Sequence, residues 1–288
     1  MMSAIGLSIF VAIAATAIYL MRLKQRQKRE LCGVILTLNQ LDEMKSLLLL
    51  IQRHRGLTSG CLQGDENLKP NIDNTRSECD AHWQALHAAR PELREDGLFE
   101  GIYSHWQRLR ERWPEHEVGN NIDQHNRLIL NLLYLIENLA EDCPQLSLYA
   151  RKHGFDMVWK EVLEAIEAIG QTRAIGTGIV ASGKSSAVDR IRLKFLMEKV
   201  SNHLQQLLQN FSKAPGDHSQ EVERIQFAQA RTEILMAFTD QYLLADQITD
   251  VSAERFFEVA SEAINPLDQL FSTVLQRLKQ NLAPNQPS

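Results

Sequence analysis

The chain has 288 residues, of which 44% are hydrophobic, enough for one large or two small globular domains. Residues 1–30 carry five basic side chains and one acidic one, so the remainder holds 26 basic and 35 acidic residues, a net charge of −9. An acidic body argues against nucleic acid as a partner, because nucleic-acid binding needs a basic face.

The N-terminal segment contains an uncharged apolar run over residues 5–21, followed by five basic residues up to Arg29. Counted from Met1, the run has 21 residues, just long enough to span a bilayer. A secretory signal would carry basic residues before its apolar run, and none stand there. We therefore predict that residues 1–30 are an uncleaved single-pass anchor in the inner (cytoplasmic) membrane, with the large domain in the cytoplasm. A cleaved or peripheral segment is the alternative.

Helical periodicity runs through nearly all of the remaining chain, and no stretch alternates as a strand would. The pattern predicts an all-α fold of about eight helices after the transmembrane helix, ending at prolines and glycines. We expect a loop at 64–72, a kink at Pro266 and a disordered tail at 282–288. The predicted helices, in chain order, are 31–62, 74–89, 97–113, 122–142, 156–182, 185–211, 217–250 and 252–281.

Two predicted helices carry an arginine within the apolar stripe that should face the core. Segments that begin at Arg55 and Arg173, RGLTSG and RAIGTG, align over six positions, which indicates two four-helix halves, 31–150 and 154–281. Arginine is rarely buried without an anionic partner. Either the arginines pair with internal carboxylates, for example Glu167 or Asp189, or both bind one external anion. The stripes are Met44, Leu48, Ile51, Arg55, Thr58 and Leu62, and Val162, Ile166, Ile169, Arg173, Gly176 and Val180.

The stretches QRHRGLTSGCLQGD, NTRSECDAHWQAL and EAIGQTRAIGTGIVASG resemble the nitrate- and nitrite-sensing (NIT) domain family over about residues 36–280. The resemblance implies two four-helix bundles that bind nitrate or nitrite between them through arginines. By position it points to Arg55, its neighbour Arg53, Arg173 and, more weakly, Arg231. The chain departs from the family pattern at His54, where an acidic residue is common, and it carries no recognisable output domain.

From these features we expect a membrane-anchored sensor or binding module for a small anion. We expect no enzymatic activity, no cofactor and no metal. A signalling partner or a second copy of the chain is the expected receiver of a signal. A structural or interaction bundle with both arginines paired internally and no ligand is the main alternative.

A second alternative comes from residues 178–185, GIVASGKS, which fit the P-loop pattern with Lys184 as the phosphate-binding lysine. A P-loop follows a buried parallel strand, whereas the residues before Gly178 are helical by period. Five histidines of the first half are predicted to lie at the surface or the core edge: His82, His87, His105, His116 and His125.

Overall fold

The computed structural model describes residues 4–89, 91, 97–244 and 251–282, with side chains from residue 13 onward. Within these residues the regular elements are helical, which confirms the predicted all-α class. Short 3-10 turns lie at Glu66–Leu68 and Trp113–Glu115, and a π-helical segment at Val158–Val162 runs directly into α6. The α-helices are α1 (Ala4–Leu62), α2 (Lys69–Ala89), α3 (Gly97–Arg112), α4 (Val118–Glu141), α5 (Pro144–His153), α6 (Leu163–Ser182), α7 (Ala187–Lys213), α8 (Ser219–Tyr242) and α9 (Ala253–Leu282).

Two boundaries differ from the predicted ones for reasons that involve proline. Helix α2 begins at Lys69, so the loop predicted over 64–72 is shorter than expected. Pro70 is tolerated there because the amide groups of a first helical turn have no partner within the helix. Between the predicted helices 122–142 and 156–182 the structure has a further helix, α5, which Pro144 opens and Gly154 closes in the left-handed conformation, with φ of 72°.

The structure does not support the membrane span predicted for the apolar N-terminal run. Among the described residues, no helix is both long enough and apolar enough to cross a membrane. The transmembrane helix expected over residues 5–21 therefore gains no support, although the side chains of 5–12 lie outside the described part. The inner-membrane location inferred from that run stays a prediction. Apart from Leu282 at the end of α9, the tail predicted to be disordered also lies outside the described residues.

The helices pack in two groups that meet along α1. Helix α1 packs against α2 and α4, and α3 packs against α4. In the other group α6 and α8 each pack against both α7 and α9. Helix α1 also contacts α6 and α9, and one hydrophobic core runs through both groups. The boundaries predicted for two halves stay a prediction, but the α1–α6 contact brings the two arginine-bearing helices together.

Small residues after the arginines allow close helix approach at two positions. A Cβ on Gly176 would overlap the ring of Phe256, so the absence of a side chain lets α6 lie directly against α9. A Cβ on Gly60 would lie 2.7 Å from Leu68. Gly176 lies one turn after Arg173 on α6, so this tight packing against α9 also fixes the position from which the Arg173 side chain projects.

The P-loop pattern lies in the wrong structural context. Residues 178–182 form the last turn of α6, and Gly183 ends that helix with φ of 65°. Ser186 then caps α7 in a capping box with Asp189. A phosphate-binding loop between a strand and a helix is therefore absent here, and Lys184 stands exposed at a helix junction. Asp189 is occupied by the cap, which leaves Glu167 as the remaining carboxylate proposed as an arginine partner.

Candidate functional site

Arg55 occupies a core position of α1, as its place in the apolar stripe predicts. It is 1% exposed, and Ile51, one turn before it, is fully buried. Its guanidinium forms a forked ion pair with Glu167 of α6, in which Nη1 donates to Oε1 at 2.6 Å and Nη2 donates to Oε2 at 3.3 Å. Nη1 also donates to Oδ1 of Asn126 on α4 at 2.6 Å. The internal partner of Arg55 is thus Glu167, in the bidentate geometry that makes such pairs strong.

Glu167 is itself buried and is held by further donors. Gln52 Nε2 donates to its Oε2 and Gln171 Nε2 to its Oε1, both at 2.8 Å. A Cβ on Gly170 would lie 3.1 Å from Nη2 of Arg55, so the glycine leaves room on α6 for the guanidinium. Charge and hydrogen-bonding capacity of the carboxylate are therefore satisfied, which a buried ion pair requires to be stable.

Arg173 lies on the same helix as Glu167 but has different surroundings. It is half-buried, its Nη1 donates to Ser261 Oγ of α9 at 3.0 Å, and its guanidinium carbon lies 4.5 Å from the ring centre of Phe257. Within the described part of the chain it forms no ion pair with a carboxylate. Burial, and then the positive charge of Arg55, lowers the pKa of Arg173 to about 10, although Glu167 acts in the opposite direction. Arg173 is therefore a cation held near another cation, and no described residue supplies a counter-ion of its own.

The two remaining predicted arginines lie in different places. Arg53 is exposed, with Nη1 4.0 Å from Glu78, and its charge still contributes to the lowered pKa of Arg173. Arg231 projects from α8 and donates to Oε2 of Glu262 at 3.1 Å. The structure thus brings Arg55, Arg173 and Arg53 within electrostatic reach of one another. Arg231 has a carboxylate partner of its own.

A cavity of about 410 Å³ opens onto Arg55, whereas Arg173 is not part of its lining. Arg55, Asn126 and Gln171 line it, and the exposed Lys184 lies at its rim. Nε of Arg55 and Oε1 of Gln52 are buried and have no hydrogen-bond partner among the described residues. A buried donor without a partner is costly. An acceptor that reached Arg55 Nε through this cavity would remove that cost.

A polar interface between α1 and α4 beside the arginine was missed by the sequence analysis. His54 Nδ1 and His125 Nε2 are 2.8 Å apart, and His125 Nδ1 is 2.7 Å from the carbonyl oxygen of Asn121. Because a carbonyl only accepts, His125 carries its proton on Nδ1 and accepts from His54 through Nε2. The prediction of a surface or core-edge position was wrong for His125, which is fully buried. The helical spacing of Asn121, His125 and Leu128 was the signal that would have placed it on the core face of α4.

Both histidines are neutral at physiological pH. Burial, and after it the charges of Arg76 and Arg110, lowers the pKa of His54 to about 3. Burial, and after it the neighbouring His54, holds the pKa of His125 well below its ordinary value. The pair therefore adds hydrogen bonds beside Arg55 but no charge.

Comparison with known proteins connects this arrangement to a family. A family described as nitrate and nitrite sensing matches residues 46–279 of the chain. No curated protein matches the chain significantly. Among solved structures, the fold is similar to one described as "Structure of the NasR transcription antiterminator", with a TM-score of 0.71 and 17% sequence identity, over 93% of this chain and 74% of that one. At this identity the likeness establishes a shared fold.

Proposed function

Since this chain belongs to the NIT family of nitrate- and nitrite-sensing domains, we propose that it binds nitrate or nitrite at Arg173 and Arg55, where α1, α6 and α9 meet. The observation that carries this proposal is the state of Arg173. Its guanidinium is desolvated and repelled by Arg55, and it forms no ion pair within the described part of the chain. Such a group favours an anion from solution, which would compensate both charges at once.

The chemistry of the site suits a small planar oxyanion. A guanidinium presents its N–H groups in one plane, and it donates in pairs to two oxygens of a planar anion. Ser261 accepts from Arg173 and donates its own hydroxyl proton to the carbonyl oxygen of Phe257 at 2.7 Å, so it orients the guanidinium and leaves anion binding to the arginines. Phe257 holds the Arg173 guanidinium from one face, which leaves its edge for the ligand.

Glu167 acts in this proposal as an internal competitor. It already holds both Nη groups of Arg55, so an incoming anion binds to Arg173 first and reaches Arg55 through the unpartnered Nε or by displacing the carboxylate. The negative charge of Glu167 also opposes any second anion nearby. We therefore expect Glu167 to set the concentration at which the site fills.

The test is titration of the full chain with nitrate, nitrite and chloride, followed by calorimetry and thermal unfolding. Hydrogen bonds to charged groups contribute about 1.5–3 kcal/mol, so Arg173→Ala should weaken nitrate binding by about ten- to a hundredfold. Glu167→Gln should tighten it, because the competing charge is gone. Arg231→Ala is the matched control and should bind like the wild type, since Arg231 pairs with Glu262.

A second function is favoured by the ion pairs themselves. Arg55 with Glu167 and Arg231 with Glu262 are satisfied internally, as in a structural or interaction bundle without a ligand. A structural bundle predicts that nitrate leaves the melting temperature unchanged, even at concentrations tens of times the Kd expected of a sensor. Nitrate binding that survives Arg173→Ala would refute the proposed site, and the absence of binding would favour the structural bundle.

A further inference from the structure

A second cationic feature lies apart from the Arg55–Arg173 site, in a groove of about 530 Å³ between α3 and α4. Arg108 and Arg112 line it from α3, and Arg127 lines it from α4. Among the described residues of its lining there is neither a carboxylate nor a lysine. The chain after residue 30 carries a net charge of −9, so this groove is a local concentration of guanidinium groups and not part of a general basic surface.

Two of the three arginines have no partner within the described part of the chain. Arg108 and Arg127 are exposed and form neither ion pairs nor hydrogen bonds there. Both lie close to His105, whose pKa is lowered by burial and, further, by these two charges. Nε2 of His105 is engaged with Oε1 of Gln124 at 2.9 Å. Arg108, Arg127 and His105 all line this groove, so the two guanidinium groups border one cavity although they come from different helices.

The groove has room for a ligand and a polar atom that lacks a partner. A Cβ on Gly97 or Gly101 would meet nothing within 4 Å, so the α3 side of the groove is open. Nδ1 of His116 is buried without a hydrogen-bond partner among the described residues. Arg112, the last residue of α3, forms an ion pair with Glu115 at 3.0 Å, but both side chains are exposed and exposed ion pairs contribute little to stability. An anion in the groove would compete with Glu115 at little cost.

We propose that the groove between α3 and α4 binds a compact phosphate-bearing anion, up to the size of a nucleotide, through Arg108, Arg127 and Arg112. Three arginines and no lysine favour phosphate, because the guanidinium fork donates to two phosphate oxygens at once. Three charges around one cavity also suit an anion that carries two or more negative charges. The acidic body disfavours a long polyanion, whose charges outside the groove would be repelled.

The experiment titrates the full chain with pyrophosphate by calorimetry. A parallel titration uses a single-stranded RNA of about twenty nucleotides, longer than the roughly 4–16 nucleotides that one OB fold covers. Pyrophosphate should bind the wild type, and Arg108→Ala and Arg127→Ala should each reduce affinity about tenfold, the effect of losing one charge-assisted contact. Binding should weaken with added salt, because both arginines are exposed. Arg151→Ala is the matched control, since Arg151 is an exposed arginine on α5 outside the groove.

Two further variants distinguish binding in this groove from binding elsewhere on the protein. Arg108→Lys keeps the charge but loses the fork, and it should bind pyrophosphate more weakly than the wild type. Arg173→Ala should leave pyrophosphate binding unchanged, so failure of the nitrate site and failure of the groove are distinguishable. The proposal is overturned if pyrophosphate does not bind, or if its affinity is the same in the Arg108→Ala/Arg127→Ala double variant. Binding of the RNA alone, lost in that double variant, would also overturn it in favour of a nucleic-acid surface.

Discussion

Replacement of Arg55 tests the assignment of Glu167 as its internal partner most directly. Arg55 is 1% exposed and Glu167 is 6% exposed, so Arg55→Met would leave a buried carboxylate without its counter-ion. Removing one partner of a buried ion pair costs about 3–5 kcal/mol. At roughly 2–4 °C for each kcal/mol in a protein of this size, the melting temperature should fall by about 6–20 °C.

Arg173→Ala should behave differently, because it strands no carboxylate. It removes a hydrogen bond to Ser261 and the contact with the Phe257 ring, and it also removes the repulsion from Arg55. The net cost should be about 1–2 kcal/mol or less. The two variants therefore differ in stability although both lose one arginine from the same cluster.

The assay is urea unfolding of the wild type and both variants between pH 7 and pH 5, with each variant compared with the wild type at the same pH. In Arg55→Met the buried Glu167 carboxylate has no counter-ion, and binding a proton would remove the stranded charge, so the stability deficit relative to the wild type should shrink as the pH falls. Arg173→Ala should show no such pH dependence. Glu167→Gln combined with Arg55→Met should recover most of the loss. Equal, pH-independent losses in the two single variants would refute the reasoning.

Two further predictions concern the helices around the site. His54 and His125 are neutral in the folded protein, with the pKa of His54 lowered to about 3, whereas in the unfolded chain they protonate below about pH 6.5. Their contribution to the free energy of unfolding should therefore be complete above that pH and decline as the pH falls toward 3. The decline should reach up to about 1.4 kcal/mol per pH unit for each histidine. Wild-type stability that is level between pH 6.5 and 5 would contradict this prediction. Gly176→Ala should destabilise the protein by about 1–3 kcal/mol, because the new methyl group meets the Phe256 ring in a packed interface. Gly178→Ala is its control, since the nearest atom to a Cβ there is 3.9 Å away, and it should be neutral or stabilising in chemical denaturation.

The sequence alone was sufficient for the helical class and for the buried faces of α1 and α6. Both depend on local periodicity, because apolar residues at a spacing of three and four share one face of a helix wherever that helix packs. The same periodicity placed Arg55 in the core, where the structure finds it 1% exposed. Burial of an arginine then required an anion, and Glu167 could be named as a candidate before its position was known.

Tertiary structure decided which candidates meet, because the partners lie on different helices and the packing of those helices sets their distance. Asp189 was an equal candidate by sequence, but it caps its own helix, whereas Glu167 faces α1 across the helix contact. The family resemblance points to both Arg173 and Arg231, yet Arg231 has a carboxylate within reach, whereas Arg173 has a hydroxyl and an aromatic ring. Periodicity identifies the face on which a side chain lies; the charge that stands opposite depends on the neighbouring helix, and no local pattern contains it.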